Sequence, residues 1–294
     1  HSVVSRTRRS EDATTSLRSG LLNTNGSVQE MKRLRPSRRW LTPLLLWILT
    51  LCLWLPGLGN LPLRDWDEGR VATVARSTTG LLPMKWERSY LNKPPGLHWP
   101  MGQLIRTKGE QESVVRLLPA LSSSLAIPLI VLLRRSLGGQ GRDQSALLAG
   151  VVLMTLLPMA RHGRLAMLEG TLVSCSLLLW WGWLGCKQSS GRAIAAGLAC
   201  SGVLLLKPPA ILGFAVVALL AGGRRSLPTG LRCWAFIFGL LPGAGWHLWH
   251  WFVRGDDAFL MWGGQGLARL TTTVGLSLIH ISEPTRPYYL VCRL

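Results

Sequence analysis

Acidic residues are scarce in this chain: 14 Asp and Glu stand against 33 Lys and Arg over 294 residues, a formal net charge of +19. Charge of either sign is scarce as well, at 16% of residues, where soluble domains carry about 25%. With 48% hydrophobic residues, an ordinary soluble domain is excluded as the expected class. Phenol and phenyl rings are few, three Tyr and five Phe, yet there are 14 Trp. Indole favours the headgroup region of a bilayer, where the ring is half buried and its N–H stays wet. Paired cysteine motifs are missing too. Cys52, Cys175, Cys186, Cys200, Cys233 and Cys292 are scattered, with no CxxC and no His at ligand spacing. That excludes a structural zinc site and leaves free thiols in apolar runs as the expected state. Excess positive charge in a soluble protein would suggest nucleic acid. Here the basic residues sit in short clusters between apolar runs, the pattern of the positive-inside rule, so nucleic acid is not an expected partner.

What is present is a series of long apolar runs. A spanning helix needs roughly 20 apolar residues. Residues 40–58, 114–133, 146–160, 165–186, 193–206, 210–221 and 234–253 meet or approach that length. The expected fold class is all-α, a polytopic transmembrane helix bundle of about seven spans. Alternating the loops puts Arg134, Arg135 and Arg142, then Lys187 and Arg192, then Arg224, Arg225 and Arg232 on the side of the amino end. The positive-inside rule makes that side cytoplasmic. Residues 64–112, the turn Arg161–Arg164, Lys207 and the Asp256–Asp257 pair then face outward. The shorter runs are expected to tilt or to borrow flanking residues.

Both termini carry their own expectations. Residues 1–30 are polar and rich in Ser, Thr and Arg, which suits a disordered or non-native leader. Met31, followed by Lys32, Arg33, Arg35, Arg38 and Arg39, is expected as the natural start. Residues 276–286, LSLIHISEPTR, resemble the translation of a transposon-based sequencing adapter. Residues 31–275 are therefore expected to hold the membrane domain, and 276–294 to be an artefact.

The longest polar segment between apolar runs is 64–96, RDWDEGRVATVARSTTGLLPMKWERSYLNKPPG. After Asp65 and Asp67, which can cap and charge a helix start, Val71, Val74, Ala75 and Thr78 recur at helical spacing. Gly96 to Ile105 is apolar but too short to span, and suits an interfacial helix introduced by two prolines. The first outer loop is thus expected to carry interfacial helices.

The order of these features resembles a known family: a basic amino end, a first span, D-E-x-R at the mouth of an outer loop, then K-P-P before the next helix. Asp67-Glu68-Gly69-Arg70 and Lys93-Pro94-Pro95 match those motifs of the polyprenyl-phosphate-dependent GT-C glycosyltransferases, the bacterial aminoarabinose and protein mannosyl transferases. Arg164-Leu165-Ala166-Met167-Leu168-Glu169 sits where that family has an R-x-D-type motif, and Gly197 to Lys207-Pro208 is similar to its G-x(n)-K-G-P span. The resemblance covers about residues 38–253 and implies the amino-terminal half of such an enzyme. The donor it implies is a sugar on a polyprenyl phosphate, and the acceptor is a lipid or protein hydroxyl. Transfer would occur on the outer face of a prokaryotic plasma membrane. Such a reaction needs a base for the acceptor hydroxyl and cations for the leaving phosphate. By resemblance Asp67 is the base and Glu68 its catalytic neighbour, orienting Arg70 or helping to hold a divalent cation. Arg70, Lys93 and Lys207 are the phosphate-binding candidates, Arg as a fork and Lys as a point charge. Asp65, Arg164 and Glu169 are secondary candidates.

Each residue also has a plainer alternative. Asp67 can cap the following helix, Lys93 and Lys207 can snorkel to the interface, Arg70 can pair with Glu68 or a headgroup, and Glu169 can be structural at a span's start. His98 and His162 read as interface residues. The chain departs from the family at Asn92, where relatives carry an acid, and at Lys207-Pro208-Pro209, where they carry Lys-Gly-Pro. A multi-span transporter without covalent chemistry is the rival class. It would place ionisable residues and broken helices at mid-membrane, whereas these charges gather at span ends and in one loop. A membrane scaffold with no site is the other rival.

Overall fold

In the computed structural model, residues 38–64, 67–222 and 228–263 are described. The leader, Asp65, Arg224, Arg225 and the adapter-like tail lie outside them. The chain divides into two compact units, His1–Leu44 and Leu45–Leu294. Of the first, residues 38–44 form the opening turns of helix α1 (Arg38–Trp54).

The second unit is mostly helical, and its helices follow the apolar runs. They are α2 (Glu68–Ser77), α3 (His98–Lys108), α4 (Glu112–Ser124), α5 (Ala126–Ser136), α6 (Arg142–Thr155), α7 (Leu157–His162), α8 (Glu169–Gly185), α9 (Ser190–Leu206), α10 (Ala210–Gly222), α11 (Leu231–Arg254) and the short α12 (Leu260–Trp262). Both helices expected in the first outer loop are there, as α2 and α3. Helices α4 and α5 run on as one apolar helix over Glu112–Ser136. Among the described residues it alone is long and apolar enough to cross a membrane by length and composition. The run 146–160 is broken between α6 and α7, where Leu156 is extended and Pro158 opens α7. A proline there cannot donate to the carbonyl four residues back and clashes with it.

The loop after α2 departs from the all-helical expectation. Met84–Lys85 (β1) and Arg88–Ser89 (β2) pair antiparallel, with Trp86 at φ 54° in the turn. Two hydroxyls at the end of α2 pin this hairpin: Thr78 accepts from the Met84 N–H (3.0 Å) and Ser77 from the Trp86 N–H (3.0 Å). Two-residue strands carry no periodicity, so nothing in the sequence announces them.

Small residues set the closest helix packing. Gly197 and Ser201 of α9 meet Gly239 and Gly243 of α11, each pair four apart on one helix face. A Cβ on Gly197 would strike the Phe236 carbonyl, and one on Gly239 would lie 2.5 Å from the Ile194 carbonyl. Ser201 Oγ donates to the Gly239 carbonyl (3.0 Å) and accepts from the Gly243 N–H (2.8 Å).

The end of α9 explains how the site is assembled. Its last regular hydrogen bond runs from the Lys207 N–H to Val203 (2.8 Å). Pro208 and Pro209 have no N–H, so the carbonyls of Leu204 and Leu205 lose their normal helical partners. Other segments take them. His247 Nε2 of α11 binds the Leu204 carbonyl at 3.0 Å, and the Gly96 N–H binds the Leu205 carbonyl at 2.9 Å. A Cβ on Gly96 would lie 2.5 Å from that carbonyl, so only glycine fits there. Two prolines in one helix end thus create docking points for the loop that carries K-P-P and for α11.

Candidate active site

One buried apolar cluster holds the motif-bearing segments together. It joins Val71, Ala72 and Ala75 of α2 to Leu97 after the K-P-P triplet, Ala166 and Leu168 before α8, and Leu206 beside Lys207. Leu63 after α1, Met101 and Ile105 of α3 and Val115 of α4 complete it. Segments distant in sequence therefore share one core.

Asp67 and Glu68 are neighbours with opposite surroundings. Asp67 precedes α2 and is exposed, and its side chain makes no capping hydrogen bond. The plain capping role is thus not the one it adopts. Glu68 is fully buried. Arg116 grips it as a fork, Nε to Oε1 and Nη2 to Oε2, both at 2.8 Å. The Ala166 N–H donates to Oε1 at 2.8 Å and the Arg64 N–H to Oε2 at 3.1 Å. Burial alone would raise the carboxyl pKa, but the Arg116 fork and the two backbone donors outweigh it and hold the group below its ordinary value. Arg116 spends its remaining N–H groups on the carbonyls of Leu58 (2.7 Å), Leu61 (2.7 Å) and Pro62 (2.9 Å). Glu68 thus pairs with Arg116. Its carboxylate ties the D-E-x-R helix to the R-x-D-type turn through Ala166 and to the exit of α1 through Arg116.

Arg70 acts on Tyr90 and Lys93 on His98, two rings in contact. That phenol is buried, hydrogen-bonded to the Asn92 side chain and close enough to Arg70 to feel its charge. Burial raises its pKa, while Arg70 and Asn92 pull the other way. Tyr90 meets His98 edge to face, with ring centroids 5.8 Å apart. His98 is fully buried, and its Nδ1 lies 3.1 Å from the Pro94 carbonyl. A carbonyl can only accept, so Nδ1 carries the proton and Nε2, which has no partner, is a bare lone pair. Burial, with a smaller push from Lys93, drops the His98 pKa to about 4 against the opposing Pro94 bond. The imidazole is therefore neutral and braces the proline turn behind Lys93.

Lys207 is half buried at the end of α9, two residues from the carbonyl that holds Gly96. Arg164 donates from Nη2 to the Pro56 carbonyl at 2.6 Å, and Glu169 is the first residue of α8. Asp65 lies outside the described residues. Among the described residues no group of three or more His, Cys, Asp or Glu is placed to hold a metal ion. Sequence inspection missed Arg116, Tyr90 and His247. Arg116 did leave a signal, a lone charge two residues inside an apolar run, which requires a partner.

Comparison with known proteins bears out the resemblance carried by the motifs. Residues 84–224 match the model of the dolichyl-phosphate-mannose-protein mannosyltransferase family. The fold is similar to the crystal structure of ArnT from Cupriavidus metallidurans bound to undecaprenyl phosphate. The TM-score is 0.65 at 21% identity, over 76% of this chain and 44% of that one. The apo form of the same protein gives a TM-score of 0.60 at 21% identity, over 77% of this chain and 44% of that one. The chain thus spans less than half the length of the solved structures it matches. A search of the curated proteins finds no match.

Proposed function

We propose that this chain forms the amino-terminal half of a membrane glycosyltransferase that moves a sugar from a polyprenyl phosphate to a hydroxyl of a lipid or protein. The observation that carries the proposal is the shared core, which joins the segments adjoining D-E-x-R, K-P-P, the R-x-D-type turn and the end of α9. The family match over residues 84–224 and the ArnT-like fold support it. The helices form about seven spans, with the amino end cytoplasmic and the site on the outer face.

In this mechanism the exposed Asp67 takes the proton of the acceptor hydroxyl. The freed oxygen attacks the anomeric carbon from the face opposite the phosphate, and the bond from that carbon to the phosphate oxygen breaks. The sugar inverts and polyprenyl phosphate leaves. Arg70, Lys93 and Lys207 stabilise the charge growing on the leaving oxygen. Glu68 acts through position, since both its oxygens are already engaged by the donors described above. Arg164 fixes the turn before α8 through Pro56. Asp65 and Glu169 remain secondary carboxylates for the acceptor side, and a divalent cation is a further candidate at the phosphate.

The test uses the full-length protein that contains this segment. Membranes with the wild-type or Asp67→Asn protein are given radiolabelled polyprenyl-phosphate sugars, and label is counted in lipid and protein fractions. The expected result is transfer by wild type and a fall on the order of 10²–10⁴-fold in the variant at equal expression. Equal transfer by both would remove Asp67 from the base role, and no transfer by wild type from any donor would overturn the assignment.

A further inference from the structure

A cationic cavity lies against Arg116, the partner of Glu68. A cavity of about 380 Å³ is lined by Arg64, Arg116, Arg161 and Arg164, with Leu61 and Leu157 at its rim. None of Arg70, Lys93 or Lys207 reaches it. Arg116 is neutralised by Glu68. Among the described residues Arg64, Arg161 and Arg164 lie within ion-pair distance of no carboxylate, and the one side-chain bond of Arg164 goes to a neutral carbonyl. Three uncompensated guanidinium groups around one cavity attract a multiply charged oxyanion, which they can bind as forks.

The surroundings say where that anion comes from. Leu61 and Leu157 are 71% and 73% exposed at the rim. Exposed apolar rows lead to it along two helices: Leu45, Leu49 and Leu53 on α1, and Leu148, Val152 and Leu156 on α6 and just beyond it. Both rows repeat at four-residue spacing, so each lies on one helix face. A soluble phosphate has no use for such tracks, whereas acyl chains do. We propose that this cavity binds the headgroup phosphate of an anionic membrane lipid, at a site separate from the one that holds the donor phosphate.

The test needs no enzymatic activity. The chain is purified in neutral detergent and titrated with phosphatidate or phosphatidylcholine, and bound lipid is counted by native mass spectrometry. Wild type should prefer phosphatidate. Arg64→Gln/Arg161→Gln should weaken phosphatidate at least about tenfold and leave phosphatidylcholine unchanged. Both side chains are exposed at the surface, so folding is preserved, and an unshifted melting temperature in neutral detergent checks this. Arg142→Gln, at the start of α6 and absent from the cavity, should bind as wild type. Equal affinity for both lipids, or equal loss in the Arg142 variant, would overturn the site. Displacement of phosphatidate by inorganic phosphate at matched concentration would overturn the lipid assignment. All of these outcomes are independent of whether Asp67 transfers sugar.

Discussion

At the scale of residues, the buried Glu68–Arg116 pair concentrates the most energy in the fewest atoms. A fully buried carboxylate is costly unless donors replace its water, and here four protein N–H groups do so. Removing one partner strands the other, which costs roughly 3–5 kcal/mol. Arg116→Met and Glu68→Leu should each lose about that much in denaturant unfolding, whereas the double variant should lose much less than the sum. Additive losses would mean that the two side chains act separately. Acid should reveal His98 before Glu68. The folded pKa of His98, about 4, lies below its ordinary value of 6.5, so the unfolded chain binds more protons between those values. Its contribution is complete above pH 6.5 and is lost as pH falls to 4, about 3 kcal/mol in all. Glu68, also depressed on folding, contributes above its unfolded pKa and is lost only as pH falls through its lower folded value. Melting temperature followed from pH 7 to 4 should decline in wild type and stay flatter in His98→Phe. Identical slopes would show that the buried imidazole does not titrate as described.

At the scale of elements, the apolar runs made the helices legible, because a run of that length has few other ways to satisfy its backbone. The two loop helices were legible from periodicity and from the prolines. The contacts that orient these elements were not. Arg116 looks like an isolated charge until Glu68, 48 positions away, is brought against it. Lys207-Pro208-Pro209 looks like a span interruption. Its effect, freeing two carbonyls for Gly96 and His247, depends on which segments arrive there. The α9–α11 seam is similar, since glycines in spans suggest close packing without naming the facing helix. Gly197→Leu should force these helices apart, because the new side chain would collide with the Phe236 carbonyl. The expected loss is at least about 1–3 kcal/mol, the range for overpacking. Gly213→Leu, on α10 with nothing within 4 Å of its added Cβ, should change the melting temperature little. Gly→Leu gains helix propensity at both positions, so equal losses in both would show that the cost does not come from the seam.

At the scale of the molecule, the helix ends of the second unit fall into two sets. One set carries the motifs: the exit of α1, the starts of α4 and α8, and the end of α9 meet through Arg116, Glu68, Ala166 and Gly96. The other set carries basic residues. Arg192 at the start of α9 donates to Ser136 at the end of α5 (2.9 Å), and Arg135 pairs with Asp143 at the start of α6 (2.9 Å). Successive long helices thus alternate between a motif end and a basic end, as alternating spans require. By the positive-inside rule we propose that the basic end is cytoplasmic. Labelling of intact cells decides this. In a chain with its cysteines replaced by alanine, Glu87→Cys in the hairpin turn should react with a membrane-impermeant maleimide. Gln188→Cys, between α8 and α9, should react only after the membrane is opened. The opposite pattern would invert the topology and move the proposed transfer site to the cytoplasmic face. Reaction of both in intact cells would mean that the helices between them do not separate two compartments, and the spanning architecture would fall with that result.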